Sequence, residues 1–240
     1  MAQTKVPTSV EDNHDELVVA RAKGFWQQYS KPLTYSILLL ALVIGGALYY
    51  QNFVKLPKEE KANDAVFYVQ KSFSNIGVVP DSLKTLMASN TLNGDGSANI
   101  GALKIISKYD GTAAANLCNY YAGACYLQMK QFDKAIKYLQ NFNTSATQIK
   151  SRALGMMGDA YAEQKKNDNA LDYYTKAAEV NEKDDFTSSE FLFRAALFAE
   201  TVGRKKDAVD LYRKLREKYP LTQKGNDADK YLARLGDLND

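Results

Sequence analysis

The sequence predicts an all-α protein in which a single N-terminal transmembrane helix is followed by an α-solenoid of stacked helical hairpins. Three observations predict this fold. Residues 32–54 form a run of 23 positions without a charged side chain. Three later segments resemble one another at spacings of 35 and 38 residues, and the segments that flank them carry apolar residues at the helical period.

The uncharged run is long and apolar enough to cross a membrane. As a helix that rises about 1.5 Å per residue, about twenty residues cover a hydrocarbon layer of about 30 Å. Aromatic rings, which favour membrane interfaces, precede it at Trp26 and Tyr29 and end it at Tyr49 and Phe53. A core helix of this length would carry a polar face. We therefore expect a short tail over 1–31 and a membrane helix over 32–54.

A cleaved signal peptide is the main alternative for this run. Such a peptide has a short basic leader and small residues at its cleavage site. Here a leader of about thirty residues, with four acidic side chains, precedes the run, and large residues end it. We interpret the run as an uncleaved anchor. Ala41 and Gly45 stand one helical turn apart within it, which predicts close packing against another membrane helix.

Charge does not decide the orientation of this anchor. Three basic residues lie close on each side of the run, so the positive-inside rule favours neither direction. A cytoplasmic amino terminus with an exported body is one arrangement, and a cytosol-facing body is the other. The body from Lys55 onward carries 27 basic and 24 acidic residues. This near balance gives no electrostatic footprint for nucleic acid.

Residues 55–112 are predicted to form a helical spacer that includes a degenerate first repeat. Apolar residues recur at the helical period over Ala62–Phe73 and again over Ile100–Tyr109. Between them, Asn90–Ser97 is rich in Asn, Gly, Asp and Ser, which predicts a loop.

Three clear repeats follow over residues 113–220, each built from two helices. They align on Ala135, Ala170 and Ala208 in the second helix. Twelve positions earlier each first helix has a small residue that would let the two helices approach closely: Gly123, Gly158 and Ala196. Pro220 should end the third repeat, because proline cannot continue a helix. Residues 221–240 then predict a capping helix that is apolar on one side.

This pattern resembles the tetratricopeptide repeat (TPR) family, whose helix–turn–helix unit has about 34 residues. The resemblance implies that the first helices line a concave face that binds peptides. On this sequence the face would comprise Tyr120, Ala124, Leu127, Arg152, Asp159, Ala162, Glu163, Phe193, Leu197 and Glu200. For Leu127 and Leu197, packing inside the stack is an equal alternative.

The whole layout is similar to the YfgM-like group of bacterial inner-membrane proteins, most specifically where Leu103–Thr112 runs into the first clear repeat. The resemblance implies a cytoplasmic amino terminus, a periplasmic body and an ancillary chaperone-like role at the SecYEG translocon. It also implies a membrane-anchored periplasmic prolyl-isomerase-type chaperone as partner. The alternative is an anchored TPR adaptor in another envelope complex, such as secretion, division or motility machinery.

The sequence favours binding over catalysis. Its single histidine, His14, lies in the polar tail, and no Ser–His–Asp set, metal-spaced Cys/His cluster or phosphate-binding glycine loop is visible. Cys118 and Cys125 are seven residues apart on one predicted helix, about 10 Å along its axis, which is too far for a disulfide. We expect no catalytic residue, metal site, cofactor, small-molecule substrate or nucleic-acid partner.

Overall fold

The computed structural model describes residues 12–74, 83, 86–87, 90–92 and 98–237. The chain divides into two compact units, Met1–Pro57 and Lys58–Asp240. The predicted tail over 1–31 lies partly outside the described residues.

The amino-terminal elements are helical throughout their described length. Helix α1 spans Asp12–Tyr50, a π-helical turn covers Gln51–Lys55, and α2 spans Leu56–Ser74. Helix α1 begins well before the predicted membrane run and contains Pro32 in its interior. The predicted boundary between tail and span therefore coincides with no helix end, and it stays a prediction.

The side chains of the uncharged run are exposed among the residues that the structure describes. Within the described residues one helix is long and apolar enough to cross a membrane, and its most apolar window has a mean hydropathy of 1.9 and is 0% buried. This confirms the predicted N-terminal apolar helix as a candidate membrane span by length and composition. Ala41 and Gly45 are exposed, and a Cβ at Gly45 would meet no described atom within 4 Å beyond the backbone of its own helix turn. Their packing against another helix stays a prediction.

The second unit begins with the apolar side of α2. Ala62, Val66 and Val69, spaced by four and three residues, are buried together with Leu83 and Leu86.

A short antiparallel ladder then pairs β1, Asn90–Leu92, with β2, Ala98–Ile100. This corrects the expected loop over Asn90–Ser97 at its first three residues, which are a strand; its other residues, 93–97, lie outside the described part of the chain. Helix α3, Ala102–Lys108, also begins later than the helix expected over Ile100–Tyr109, because buried Ile100 belongs to β2.

Three helical hairpins and a final helix make up the rest of the unit. The helices are α4 (Ala113–Gln128), α5 (Phe132–Asn141), α6 (Thr147–Glu163), α7 (Asn167–Glu179), α8 (Asp185–Thr201), α9 (Lys205–Lys218) and α10 (Gln223–Arg234). Hairpins α4–α5, α6–α7 and α8–α9 pack in sequence, and α10 packs on α9. Helix α9 ends before Pro220, as predicted. The predicted fold class is confirmed.

Glycines allow the two helices of a hairpin to approach closely. A Cβ at Gly123 would lie 2.5 Å from Cγ of Leu139, and one at Gly158 would lie 2.7 Å from the ring of Tyr174. Both distances are far shorter than a van der Waals contact, so these positions have no room for a side chain. Ala196 fills the equivalent position in the third hairpin and is completely buried.

The turns inside the hairpins share one backbone conformation. Lys130, Lys165 and Gly203 have φ values of 57°, 59° and 78°. In each hairpin the next residue donates its amide N–H to a carbonyl five residues earlier: Gln131 to Tyr126, Lys166 to Tyr161, and Arg204 to Ala199. This is the left-handed end that satisfies the last carbonyls of a helix.

Both cysteines are buried in α4 and are not bonded to each other. Burial raises the pKa of Cys118 to about 12 and that of Cys125 to about 11. The two thiols are therefore neutral at physiological pH and pack as small apolar groups.

Candidate functional site

A groove of about 340 Å³ lies between the first helices of the three hairpins, α4, α6 and α8. We call it the central groove. It is lined by Tyr120, Arg152, Met156, Asp159, Phe186, Thr187, Glu190, Phe191 and Arg194.

Helix periodicity places most of these side chains on two facing stripes. On α6, Arg152 and Asp159 stand four residues before and three residues after Met156, so all three share one face. On α8, Phe186 and Arg194 each stand four residues from Glu190 and form a second stripe. The groove is the space between these stripes.

The apolar floor of the groove depends on a glycine, Gly155, which has no side chain. A Cβ at Gly155 would lie 2.2 Å from Cε1 of Phe191, so the phenyl ring rests directly on the backbone of α6. Half-buried Tyr120 closes the side of α4, with its ring centroid 5.3 Å from that of Phe142. At the rim, by contrast, Phe186 is 81% exposed.

The acidic side chains of the groove already have partners. Arg194 lies 3.7 Å from Asp159 and 3.7 Å from Glu190, and Lys224 lies 3.6 Å from Glu190. The hydroxyl of Tyr174 also donates a hydrogen bond of 2.7 Å to Asp159. Burial, and then the adjacent Asp159 carboxylate, raise the pKa of Tyr174, so its phenol remains a donor at physiological pH.

Arg152 differs from the other charged residues of the groove. Across the part of the chain that the structure describes, its exposed guanidinium has no ion-pair partner. Burial raises the pKa of Tyr120, and the nearby charge of Arg152 partly offsets that effect. The groove lining contains two arginines, Arg152 and Arg194, and two carboxylates, Asp159 and Glu190. Arg194 pairs with both carboxylates, so Arg152 is the lining arginine whose positive charge is left for a ligand.

The structure brings three of the ten predicted face residues together in the central groove. Tyr120, Arg152 and Asp159 come from two different hairpins and line one cavity. The other seven do not line it, and their contact with a partner stays a prediction.

Four of those seven lie inside the stack. Ala124 and Phe193 are buried, and the Phe193 ring centroid is 5.1 Å from that of Tyr231. Leu127 is half-buried against the core of the first hairpin, which matches the packing alternative. Ala162 is half-buried beside Tyr174 in the next cluster.

The remaining three are polar or exposed. Glu163 and Leu197 are exposed on α6 and α8. Glu200 accepts hydrogen bonds from the hydroxyl of Tyr212 at 3.1 Å and from the guanidinium of Arg234 at 2.7 Å, so it connects the third hairpin to α10.

The prediction from the sequence missed six groove residues: Met156, Phe186, Thr187, Glu190, Phe191 and Arg194. Alignment of the repeats put Phe193 at the position of Tyr120 and Gly155. Tyr120 does line the groove, but on α6 and α8 the lining residues are Met156 and Arg194, each one residue further on. One residue rotates a helix position by about 100°. The four-residue spacing of Phe186, Glu190 and Arg194 was the available signal.

The groove offers apolar and charged contacts for binding. Its lining contains no histidine, cysteine or serine. Within the described residues no group of three or more His, Cys, Asp or Glu side chains could hold a metal ion.

Comparison with known proteins identifies the repeats. One family model, described as tetratricopeptide repeat, matches residues 151–184, and a second with the same description matches residues 118–145 and 190–222. A search of curated proteins finds no match. The three hairpins between residues 118 and 222 are therefore tetratricopeptide repeats, which serve as scaffolds for protein–protein interaction and are typically not enzymes.

Proposed function

We propose that the protein is a non-enzymatic, membrane-tethered TPR scaffold that binds segments of other proteins in its central groove. The observation that carries this proposal is the groove itself, in which exposed Phe186 and Arg152 stand above an apolar floor. Aromatic and arginine side chains are the groups that most often dominate binding at protein interfaces.

The size of the groove indicates what it binds. A volume of about 340 Å³ is at the lower end of ligand pockets and holds a few side chains rather than a folded domain. Contacts of this extent give weak affinity. A membrane anchor compensates, because tethering raises the effective concentration of the groove near partners in the same membrane.

The finer assignment rests on the resemblance in layout to the YfgM-like group. We place the protein in the bacterial inner membrane with a cytoplasmic amino terminus and a periplasmic body. There it acts as an ancillary chaperone-like subunit at the SecYEG translocon, beside a membrane-anchored prolyl-isomerase-type chaperone. Exposed face residues outside the groove, Glu163 and Leu197, extend its contact with exported chains.

Site-specific photo-crosslinking in cells tests this function. A photoreactive phenylalanine analogue replaces Phe186 at the groove rim, and the same analogue at exposed Lys137 on α5 serves as control. We expect position 186, and not position 137, to cross-link translocon subunits, the chaperone or newly exported chains.

Other cross-linking results would change the assignment. Products that belong only to a secretion, division or motility complex would transfer the scaffold to that machinery. If position 137 forms products and position 186 forms none, the central groove is not the binding site.

A further inference from the structure

Resting on the proposed function, we infer that the central groove selects protein segments in which an acidic side chain lies next to an apolar one. Arg152 binds the carboxylate and Phe186 covers the apolar side chain. The partner is thus a flexible segment with an internal aspartate or glutamate.

The charge balance of the groove carries the acidic half of this inference. Both groove carboxylates already have partners. Asp159 interacts with Arg194 and with the hydroxyl of Tyr174. Glu190 interacts with Arg194 and with Lys224. A cation on the partner would compete with these groups and meet repulsion from Arg152. A carboxylate on the partner instead gains a charge-assisted hydrogen bond, which is stronger than a neutral one.

The exposed aromatic ring at the rim supports the second part of the inference, the preference for an apolar side chain. Phe186 begins the stripe of α8 that faces the groove, and it leaves 81% of its surface in water. Met156 and Phe191 lie in the lining beside it. A partner side chain placed here removes apolar surface of both molecules from water, which is favourable in proportion to the area buried.

The extent of the groove favours an internal residue over a chain terminus. Packed helices lie about 8–10 Å apart, so crossing from α4 to α8 covers about 20 Å. An extended chain needs about six residues for that distance. A segment of this length continues past Arg152 in both directions, so the carboxylate that reaches Arg152 comes from a side chain.

Fluorescence anisotropy with the full-length protein in detergent micelles tests the inference. The probes are fluorescein-labelled, amidated ten-residue peptides of Gly and Ser that contain one Phe and, two residues later, Asp, Asn or Lys. We expect the Asp peptide to bind about threefold to tenfold more tightly than the Asn peptide, as one partly exposed charged pair allows. The Lys peptide should bind most weakly, and added salt should reduce the differences.

Variants assign the effect to individual side chains. Arg152→Gln should abolish the preference for Asp over Asn, whereas Phe186→Ala should weaken both peptides to a similar degree. Lys150→Gln is the matched control: Lys150 is exposed on the same helix but lines a different cavity, of about 330 Å³. This variant also removes one positive charge and should keep the preference.

Several results would overturn the inference: equal binding of the Asp and Asn peptides, no binding of either, or a preference that survives in Arg152→Gln. Tighter binding of a peptide without Asp but with a free terminal carboxylate would identify a chain terminus as the ligand instead. If cross-linking through position 186 persists in cells, any of these results would contradict only the inferred preference for acidic segments, and the proposed scaffold function would stand. Loss of that cross-linking removes the proposed function itself.

Discussion

At the scale of single residues, the turns of the first two hairpins contain a strained backbone conformation that the third hairpin avoids. Lys130 and Lys165 adopt the left-handed conformation that Gly203 adopts in the third hairpin. A side chain there places Cβ close to the following carbonyl, and glycine avoids that contact. The hydrogen bonds that close each helix keep these lysines in place.

Replacing Lys165 by Gly should therefore stabilise the second hairpin. Relief of the left-handed strain is worth about 0.5–1 kcal/mol, which slows the exchange of amide hydrogens around the turn by about twofold to fivefold. Hydrogen exchange read by mass spectrometry on α6 and α7 measures this. Lys166→Gly is the control, because Lys166 has a φ of −86° and carries no such strain. Faster exchange in Lys165→Gly would contradict the prediction.

One position in the second helices combines packing with a hydrogen bond to the first helix of the same hairpin. Leu139, Tyr174 and Tyr212 each follow the anchor alanine of their repeat by four residues. The leucine only packs, while the two tyrosines also donate hydrogen bonds to Asp159 and Glu200. Burial, and then these carboxylates, raise the pKa of Tyr174 and of Tyr212. Both phenols remain protonated and hold the acids in place.

At the scale of helices, the start of α10 is a closely packed junction. Thr222 caps the helix by accepting a hydrogen bond of 3.0 Å from the amide of Gly225. A Cβ at Gly225 would lie 1.9 Å from the carbonyl oxygen of Tyr219. Because that neighbour is backbone, it cannot move aside as a flexible side chain can.

Gly225→Ala should consequently loosen α10. Forcing a methyl group into a packed site costs about 1–3 kcal/mol, which exceeds the gain of up to about 1 kcal/mol in helix propensity. Amide exchange over Gln223–Arg234 should accelerate by up to about thirtyfold, because the net of these two energies reaches about 2 kcal/mol. Asn226→Ala, at the exposed next position, should leave it unchanged or slower. Equal exchange rates in the two variants would show that the junction has room.

Helix pairs inside a repeat could be predicted because their contacts are local in sequence. The small residue at Gly158 and the anchor at Ala170 are twelve positions apart, and each hairpin repeats that spacing. The groove depends instead on how one hairpin rotates against the next. Gly155 meets Phe191 across 36 positions, and nothing in either residue type indicates that pairing. The ladder at Asn90–Leu92 was missed for a related reason, since turn-forming residues conceal two strands of three residues each.

At the scale of the whole molecule, the apolar helix and the repeats differ in how much of their apolar surface they bury. The described residues of the apolar run bury none of their most apolar window against protein, so in water that surface would be exposed at a large cost in free energy. A bilayer removes this cost. The repeats, in contrast, bury alanines and aromatic rings of their own.

The apolar helix should therefore hold the full chain in the membrane fraction through an alkaline carbonate wash. Replacing both Leu39 and Leu42 by Lys costs about 2.5–3.5 kcal/mol per residue at the centre of a membrane helix, and should release the protein. Val18→Lys with Val19→Lys, outside the uncharged run, adds the same charge and should leave the protein in the membrane. Extraction of the unaltered chain with its first 55 residues intact would contradict an anchor.

The same double variant separates tethering from recognition. Because the groove residues lie in the repeats, the Leu39→Lys, Leu42→Lys protein should bind the Asp peptide in micelles as tightly as the unaltered chain. Its cross-links through position 186 in cells should nevertheless fall by tenfold or more, since a millimolar effective concentration is lost with the anchor. Cross-links that persist at full yield would mean that groove affinity alone holds the partner, and that the membrane helix serves another purpose.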